Sequence, residues 1–420
     1  MKISTFNALK SRNYRLYFVG QSISLVGTWM QKTAVSWVVY SLTHSKLMLG
    51  LSLFASQFPS FIFSFLGGAV SDRYNRYKVL LATQAASMIQ AVLITLLVAW
   101  GRYSVWHILG LSAMLGFINA FDVPARQFLV NELVPDRKYL ANALALNSSM
   151  VNLSRLVGPA IAGILLEKFG EVFCFGLNAF SFIAVITCLL LMKLSAAKVE
   201  KRQKNLFQDI REGWNYLRHE KSIMFIIGML GLISLFVLPF STLIPVYAKD
   251  IFKGTASTFG IIDSMIGLGA FCGALFLASL GPDRNFHRIL AINTVVFGTG
   301  LMLFSFMELY GAALVCAMIT GFGMMSQITI SNTLIQTTVK PSMRGRVISF
   351  YAMAFFGMQP LGGVIVGSLS QLVGVRATVL AEGLLAVGVG CVHFWFLRHS
   401  NAAARVRKIE AVQPPEVAAS

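Results

Sequence analysis

Long apolar stretches separated by short polar turns run from one end of this chain to the other. Predominantly apolar runs begin near positions 15, 48, 79, 105, 140, 172, 223, 258, 289, 310, 347 and 375, each close to the about 20 residues that a membrane-crossing helix needs. These twelve runs use up nearly all of the 420 residues. The pattern therefore predicts an all-α integral membrane protein of twelve transmembrane helices, with no room for an appended soluble catalytic domain.

The most polar stretch lies between the sixth and seventh runs and divides the chain into an N-terminal six-helix bundle over 1–193, a linker over 194–221 and a C-terminal six-helix bundle over 222–398. A tail over 399–420 is expected to be disordered. Within the linker, Leu206, Ile210, Trp214 and Leu217 recur at spacings of four, four and three, which puts them on one helical face. That spacing predicts a short amphipathic helix on the cytoplasmic membrane surface; a plain solvated linker is the competing reading.

A second polar interruption, Gly68 to Lys78, separates runs two and three and gathers Asp72, Arg73, Arg76 and Lys78 into one tight turn. Asp72 is expected to face the positive end of the following helix, and the three bases to stay among lipid headgroups.

Composition agrees with the periodicity. Charged residues make up 12% of the chain, against about 25% for a soluble domain. The net charge of +18 is unevenly spread: with both termini cytoplasmic, 27 of the 35 Lys and Arg fall on the inner side. This is the asymmetry of the positive-inside rule, so the basicity reads as orientation in the cytoplasmic membrane rather than as a nucleic-acid surface. The five cysteines lie in separate apolar runs without metal or redox spacing and read as core packing, so neither a metal nor a cofactor is expected. The first apolar run is too long for a cleavable signal and is expected to be retained.

The halves repeat one another. Asp72-Arg73 and Arg76 recur as Asp283-Arg284 and His287-Arg288, Gly116-Phe117 as Gly321-Phe322, and Pro135 as Pro341. At offsets of 205 to 211 these matches indicate a duplicated six-helix unit, hence two pseudo-symmetric halves with a substrate site between them near mid-membrane.

The Gly68–Lys78 turn resembles the loop between helices two and three of the major facilitator superfamily, G-x-x-x-D-R-x-G-R-[RK]. Asn75 stands where that family has glycine, and asparagine is the residue next most tolerant of a left-handed turn. Tyr77 replaces a usual base, with Lys78 one position later. Asp122-Val-Pro124-Ala-Arg126-Gln127, Leu140-Ala-Asn142, Asn152-Leu-Ser-Arg155-Leu-Val-Gly158-Pro159, Gly27-Thr-Trp29 and Pro245-Val-Tyr-Ala-Lys249-Asp250 resemble the exporter branch that includes enterobactin exporters and macrolide efflux proteins. Lysophospholipid transporters are related to that branch. The resemblance implies the major facilitator fold and secondary transport. Gly158-Pro159 with Gly163 is similar to the span-five motif associated with antiporters, which implies a bendable, closely packed gate helix; plain packing is the alternative.

A charge at mid-membrane costs roughly 2.5–3.5 kcal/mol on insertion scales and asks for a reason. In span one, Gln21, Ser24, Thr28, Lys32 and Ser36 share one face; in span five, Ser148, Asn152, Arg155 and Pro159 form a second stripe. Such stripes are expected to line a water-filled cavity. Lys32 and Arg155 would give it positive charge, suited to an anionic substrate or to a carboxylate that exchanges a proton beside them. Otherwise Lys32 snorkels outward and Arg155 ties helices together. Thr329, Asn332 and Gln336 make a third stripe in span ten.

The acids near the spans are Asp122, Asp263, Glu308 and Glu382. Asp263 and Glu382 are the candidates for carrying a proton. Gly68, Asp72, Arg73, Arg76, Asp122 and Arg126 are expected to form a latch on the inner side. The implied partners are an amphipathic small molecule, protons as coupling ion and the lipid bilayer, with a monomer as the working unit. Export of a siderophore or drug is the first reading, giving multidrug resistance in the second case. A permease or lysophospholipid flippase of the same fold is the alternative. A membrane enzyme is disfavoured because no nucleophile–base spacing occurs, and a primary pump because no Gly-x4-Gly-Lys-Ser/Thr loop does.

Overall fold

The structure, a computed structural model, describes residues 7–134, 137–193, 206–281 and 284–410. Pro135, Asp283, the linker before 206 and the tail beyond 410 lie outside the described residues.

Fourteen helical segments follow one another: α1 Arg12–Thr43, α2 Lys46–Arg73, α3 Arg76–Trp100, α4 Val105–Leu133, α5 Leu140–Leu190, α6 Leu206–His219, α7 Lys221–Phe236, α8 Ile244–Val246, α9 Ala256–Ala278, α10 Phe286–Phe306, α11 Tyr310–Thr338, α12 Arg344–Ala352, α13 Met358–Val373 and α14 Val375–Glu410. No strand occurs among the described residues. Ten stretches are long and apolar enough to cross a membrane, with α7 continuing to Ile251 and α12 running into α13. Two more spans complete the twelve. α5 is two spans joined at Gly170, whose φ of +78° only glycine adopts without strain. α1, 32 residues long, is diluted by its polar stripe.

Side-chain caps set several boundaries. Ser45 accepts from the Met48 N–H at 3.3 Å and opens α2. Asn75 accepts from the Lys78 N–H at 3.2 Å and opens α3, and Asn285 accepts from the Arg288 N–H at 3.1 Å to open α10. The two asparagines sit 210 positions apart, so the repeat extends to its capping chemistry. Asn75 has φ −62° and ψ 113°, extended rather than left-handed. It is kept for its side-chain oxygen, which an N-cap needs and glycine lacks.

α1 packs on α5, α2 on α4, and α3 on both α4 and α5; in the second half α9 packs on α11, and α10 on α11 and α14. Each group holds two apolar clusters, one of which also takes in Val246 and Ala256 from across the groups. One lies near the ends at residues 74–75, 134, 137–139 and 219–221, here the linker face. The other lies toward residues 44–45, 101–104, 252–255 and 307–309, the loop face.

The groups meet through α5 against α9 and α2 against α13. Both crossings are backbone to backbone. A Cβ on Gly260 would come within 2.3 Å of the Pro159 carbonyl, and one on Gly50 within 2.1 Å of the Gly363 carbonyl. Small residues allow this approach, which replaces the hydrophobic driving force absent in lipid. These contacts lie in the loop-face half of the helices and reach mid-depth at Phe61 against Gly357. Among the described residues no comparable approach joins the groups toward the linker face, so this conformation is closed on the loop face. α6 lies along α12, with Glu212 paired to Arg346 at 2.7 Å, Trp214 beside Phe350, and Ile210 and Trp214 partly exposed.

Candidate functional site

Four helices bring the charges of the middle of the chain together. α1 supplies Trp29, Lys32 and Thr33, α5 supplies Arg155, α9 supplies Asp263, and α11 supplies Met324. The Lys32 ammonium sits 4.8 Å from the Trp29 ring centroid, and the Arg155 guanidinium 5.7 Å from the same ring. Two cations thus share one aromatic ring. Arg155 also reaches across the groups to the Met324 sulfur at 3.8 Å. Asp263 acts electrostatically on both Lys32 and Arg155, with Thr33 beside it. Lys32 is deep in the protein yet keeps accessible surface, as a side chain lining a cavity does.

Glycine makes room for the arrangement. A Cβ on Gly158 would meet the Trp29 Cβ at 2.5 Å, so the first residue of the span-five motif is the socket that lets Trp29 in. A Cβ on Gly163 would strike the Ala256 carbonyl at 2.7 Å. Gly158, Pro159 and Gly163 therefore form one contact line from α1 to α9.

Other predicted cavity residues are arranged differently. Gln21 is buried. The Thr28 and Ser36 hydroxyls donate to carbonyls of their own helix, Ser24 at 2.9 Å and Lys32 at 3.2 Å. Asn152 donates to the Ser148 carbonyl at 3.0 Å, and Gln336 to Asn332 at 3.1 Å, both on the linker-face halves of their helices. Glu382 does not join Asp263. It lies inside the second group at 4% exposure, near Tyr247.

Near the linker face, Asp122 is 1% exposed and fully occupied inside the first group. It pairs with Arg126 and accepts from Thr83 at 2.9 Å and Gln84 at 2.7 Å. Arg76 pairs with Glu132 of α4 and donates to the Ser71 carbonyl at 3.3 Å. Asp72 and Arg73 end α2 on the partly open surface beside it, and Gly68 faces open space. In this conformation the turn is thus tied to α4 through Arg76 and Glu132. Asp122→Ala strands Arg126 and is expected to cost about 3–5 kcal/mol, the usual penalty for removing one member of a buried pair, read as a lowered Tm in detergent.

The chain's own pattern gave little sign of the loop-face clasp. Tyr40 donates to Asp250, Lys249 donates to Ser41 at 3.2 Å and stands over Trp37, and Trp37 stacks on Phe259 with ring centroids 6.2 Å apart. Thr255 donates to Glu167 at 2.8 Å, and Lys46 to the Ser370 carbonyl at 3.0 Å. A buried amide network was equally hidden. Asn178 donates to Gln31 at 2.6 Å, Gln31 to Gln90 at 3.0 Å, and Gln90 to the Leu111 carbonyl at 3.2 Å, binding α1, α3, α4 and the second span of α5. Among the described residues no group of three or more potential metal ligands occurs.

A family described as transmembrane secretion effector matches residues 3–420. Among curated relatives, the staphyloferrin A transporter of Staphylococcus aureus is 26% identical over 387 residues, spanning 91% of this chain and 96% of the relative. Macrolide efflux protein A of Streptococcus pyogenes is 23% identical over 394 residues, with 91% and 96% covered. The enterobactin exporter EntS of Salmonella typhi is 26% identical over 381 residues, with 90% of each covered. Among solved structures, a bacterial homolog of the human lysosomal transporter Spinster, inward-facing and unoccupied, superposes with a TM-score of 0.70 at 12% identity, covering 94% of this chain and 97% of the other. The nucleoside transporter NupG gives 0.70 at 14% identity, with 93% and 99% covered.

Proposed function

Because the chain belongs to the transmembrane secretion effector family of major facilitator transporters, we propose that it is a proton-coupled exporter of an amphipathic small molecule, a siderophore or a drug. It works by alternating access in the cytoplasmic membrane. The linker face with both termini is cytoplasmic, as the skew of Lys and Arg supports. The loop-face closure described above is then an inward-facing state.

The observation that carries the reading is the Trp29 ring contacted by both Lys32 and Arg155, with Asp263 of the other group acting on the two cations. Cargo rings stack on Trp29, while carbonyl or carboxylate oxygens accept from Lys32 and Arg155. Cargo hydroxyls or amines donate to ionised Asp263. A proton on Asp263 removes that acceptor, so proton and cargo compete for one carboxylate, the condition for antiport. The latch residues Gly68, Asp72, Arg73, Arg76, Asp122 and Arg126 close the cytoplasmic side in the opposite state. Neutralising Asp72 is expected to raise the reactivity of cysteines engineered on that side.

Losing a charged hydrogen-bond donor costs about 1.5–3 kcal/mol. Lys32→Gln is therefore expected to lower cargo transport roughly ten- to hundredfold at subsaturating cargo, with membrane expression unchanged. Unchanged transport contradicts the cavity role of Lys32.

One feature favours a lipid-like cargo as a second reading. An apolar groove of about 400 Å³ lies beside Gly27 and Met30 on α1 and Ile161, Leu177 and Phe180 on α5. It has the lining to take an acyl chain, as a lysophospholipid flippase requires.

A further inference from the structure

Glu382 is an anomaly in the second group. It is 4% exposed on a membrane-crossing helix, and neither carboxylate oxygen has a hydrogen-bond partner among the described residues. Val379 and Ala386, one turn before and after it on the same helix, belong with Tyr247, Leu301 and Phe304 to one apolar cluster. The Tyr247 hydroxyl is buried without a partner as well, and Glu382 acts on it electrostatically. A bare carboxylate in such a place costs several kcal/mol unless it is neutralised or paired.

Tyr247 opens an unusual stretch of backbone. Residues Tyr247–Ile251 form a π-helical turn, in which the Phe252 N–H reaches the Tyr247 carbonyl at 2.9 Å. π-turns inside spans tend to mark functional positions, because they leave the backbone poised between two hydrogen-bond registers. This one has two working sides. Glu382 acts electrostatically on Tyr247, while Lys249 and Asp250, two and three residues on, hold Ser41 and Tyr40 of α1. The same turn carries the tyrosine on which the buried acid acts and the residues that clasp the other half of the protein.

We propose that Glu382 and Tyr247 form a proton-binding site, separate from the cargo cavity, whose occupancy is transmitted through the Tyr247–Ile251 turn to the loop-face clasp. One proton moves from water on the loop face to a Glu382 oxygen. The neutral pair then packs as seen, and the turn holds Asp250 against Tyr40. Loss of that proton to water on the cytoplasmic side in the inward-facing state places a charge near Tyr247 in an apolar pocket, shifts the turn and releases the clasp. Proton uptake from outside therefore closes the loop face, returning the carrier inward, as an exporter needs.

Few other charges bear on the pair. From its own helix, Arg376 reaches Tyr247 electrostatically and is itself paired with Glu308 at 3.1 Å. α10 carries its titratable residues, His287 and Arg288, at the linker face, and α13 has none. Lys249 and Asp250 stand on the far side of the turn.

This inference deepens the proton-coupled reading and is tested apart from it. Spin labels on Arg102 and Leu309, in the loop-face turns of the two groups, report loop-face separation in the full-length protein. The pH is taken from about 6 to 9, where buried carboxyls titrate. The expected result is a short distance at low pH and a longer one at high pH, with Glu382→Gln holding the short distance throughout. Asp263→Asn is expected to keep the pH response, which separates this site from the cargo cavity. The same response in Glu382→Gln as in the parent, or none in the parent, overturns the proposal. If Glu382→Gln does not fold, Tyr247→Phe replaces it and is expected to shift the midpoint by about one pH unit; an unmoved midpoint overturns the proposal.

Discussion

Asp263→Asn is expected to abolish cargo export driven by a pH gradient while cargo-for-cargo exchange continues. The amide keeps the shape of the side chain and can still bond a cargo hydroxyl, but it cannot take up or release a proton. Removing an essential proton-transfer group costs roughly a hundredfold or more, which sets the size of the loss. It also leaves Lys32 and Arg155 without the carboxylate that faces them, so a lower Tm accompanies it. Everted vesicles loaded through an imposed gradient measure the first activity, and counterflow the second. Loss of both, or of neither, contradicts the role given to Asp263.

Gly260→Val is the second large effect. Its Cβ would lie 2.3 Å from the Pro159 carbonyl and 2.9 Å from the Gly163 Cα, both backbone atoms of the opposite group. Neither can yield without separating α5 from α9. Overpacking of this kind costs about 1–3 kcal/mol. Because the strain exists only when the groups touch, it falls on the loop-face-closed state and spares the fold of each half. The expected result is a longer loop-face distance between the same spin labels, with transport lowered roughly five- to hundredfold. A short distance with normal transport shows that the crossing tolerates a side chain.

Much of the fold is legible in the chain because a bilayer makes apolar length a direct signal. All twelve runs are readable in the chain; ten stand out by hydropathy in the structure, an eleventh once Gly170 divides α5, and α1 is diluted by its polar stripe. The asparagine at 75 was harder, since one residue type serves both left-handed turns and helix caps, and only the backbone angles separate them. Lys32 and Arg155 are readable as charges needing a reason, but their common contact with the Trp29 ring depends on Gly158, whose role no spacing reveals. Asp122 shows the limit from the other side. Its partners Thr83 and Gln84 are polar residues of a neighbouring span, and a helical pattern does not fix how that span is rotated. The Tyr40–Asp250 clasp joins residues 210 positions apart with no motif between them.

The central claim, export of a small amphipathic molecule, is tested most directly by mass spectrometry of secreted and intracellular small molecules. A strain lacking this protein is compared with its parent under iron limitation. A catechol or hydroxamate chelator trapped inside and missing outside is the predicted result, and it names the cargo. Identical profiles, with unchanged drug susceptibility, contradict export and turn the account to the lipid-like cargo.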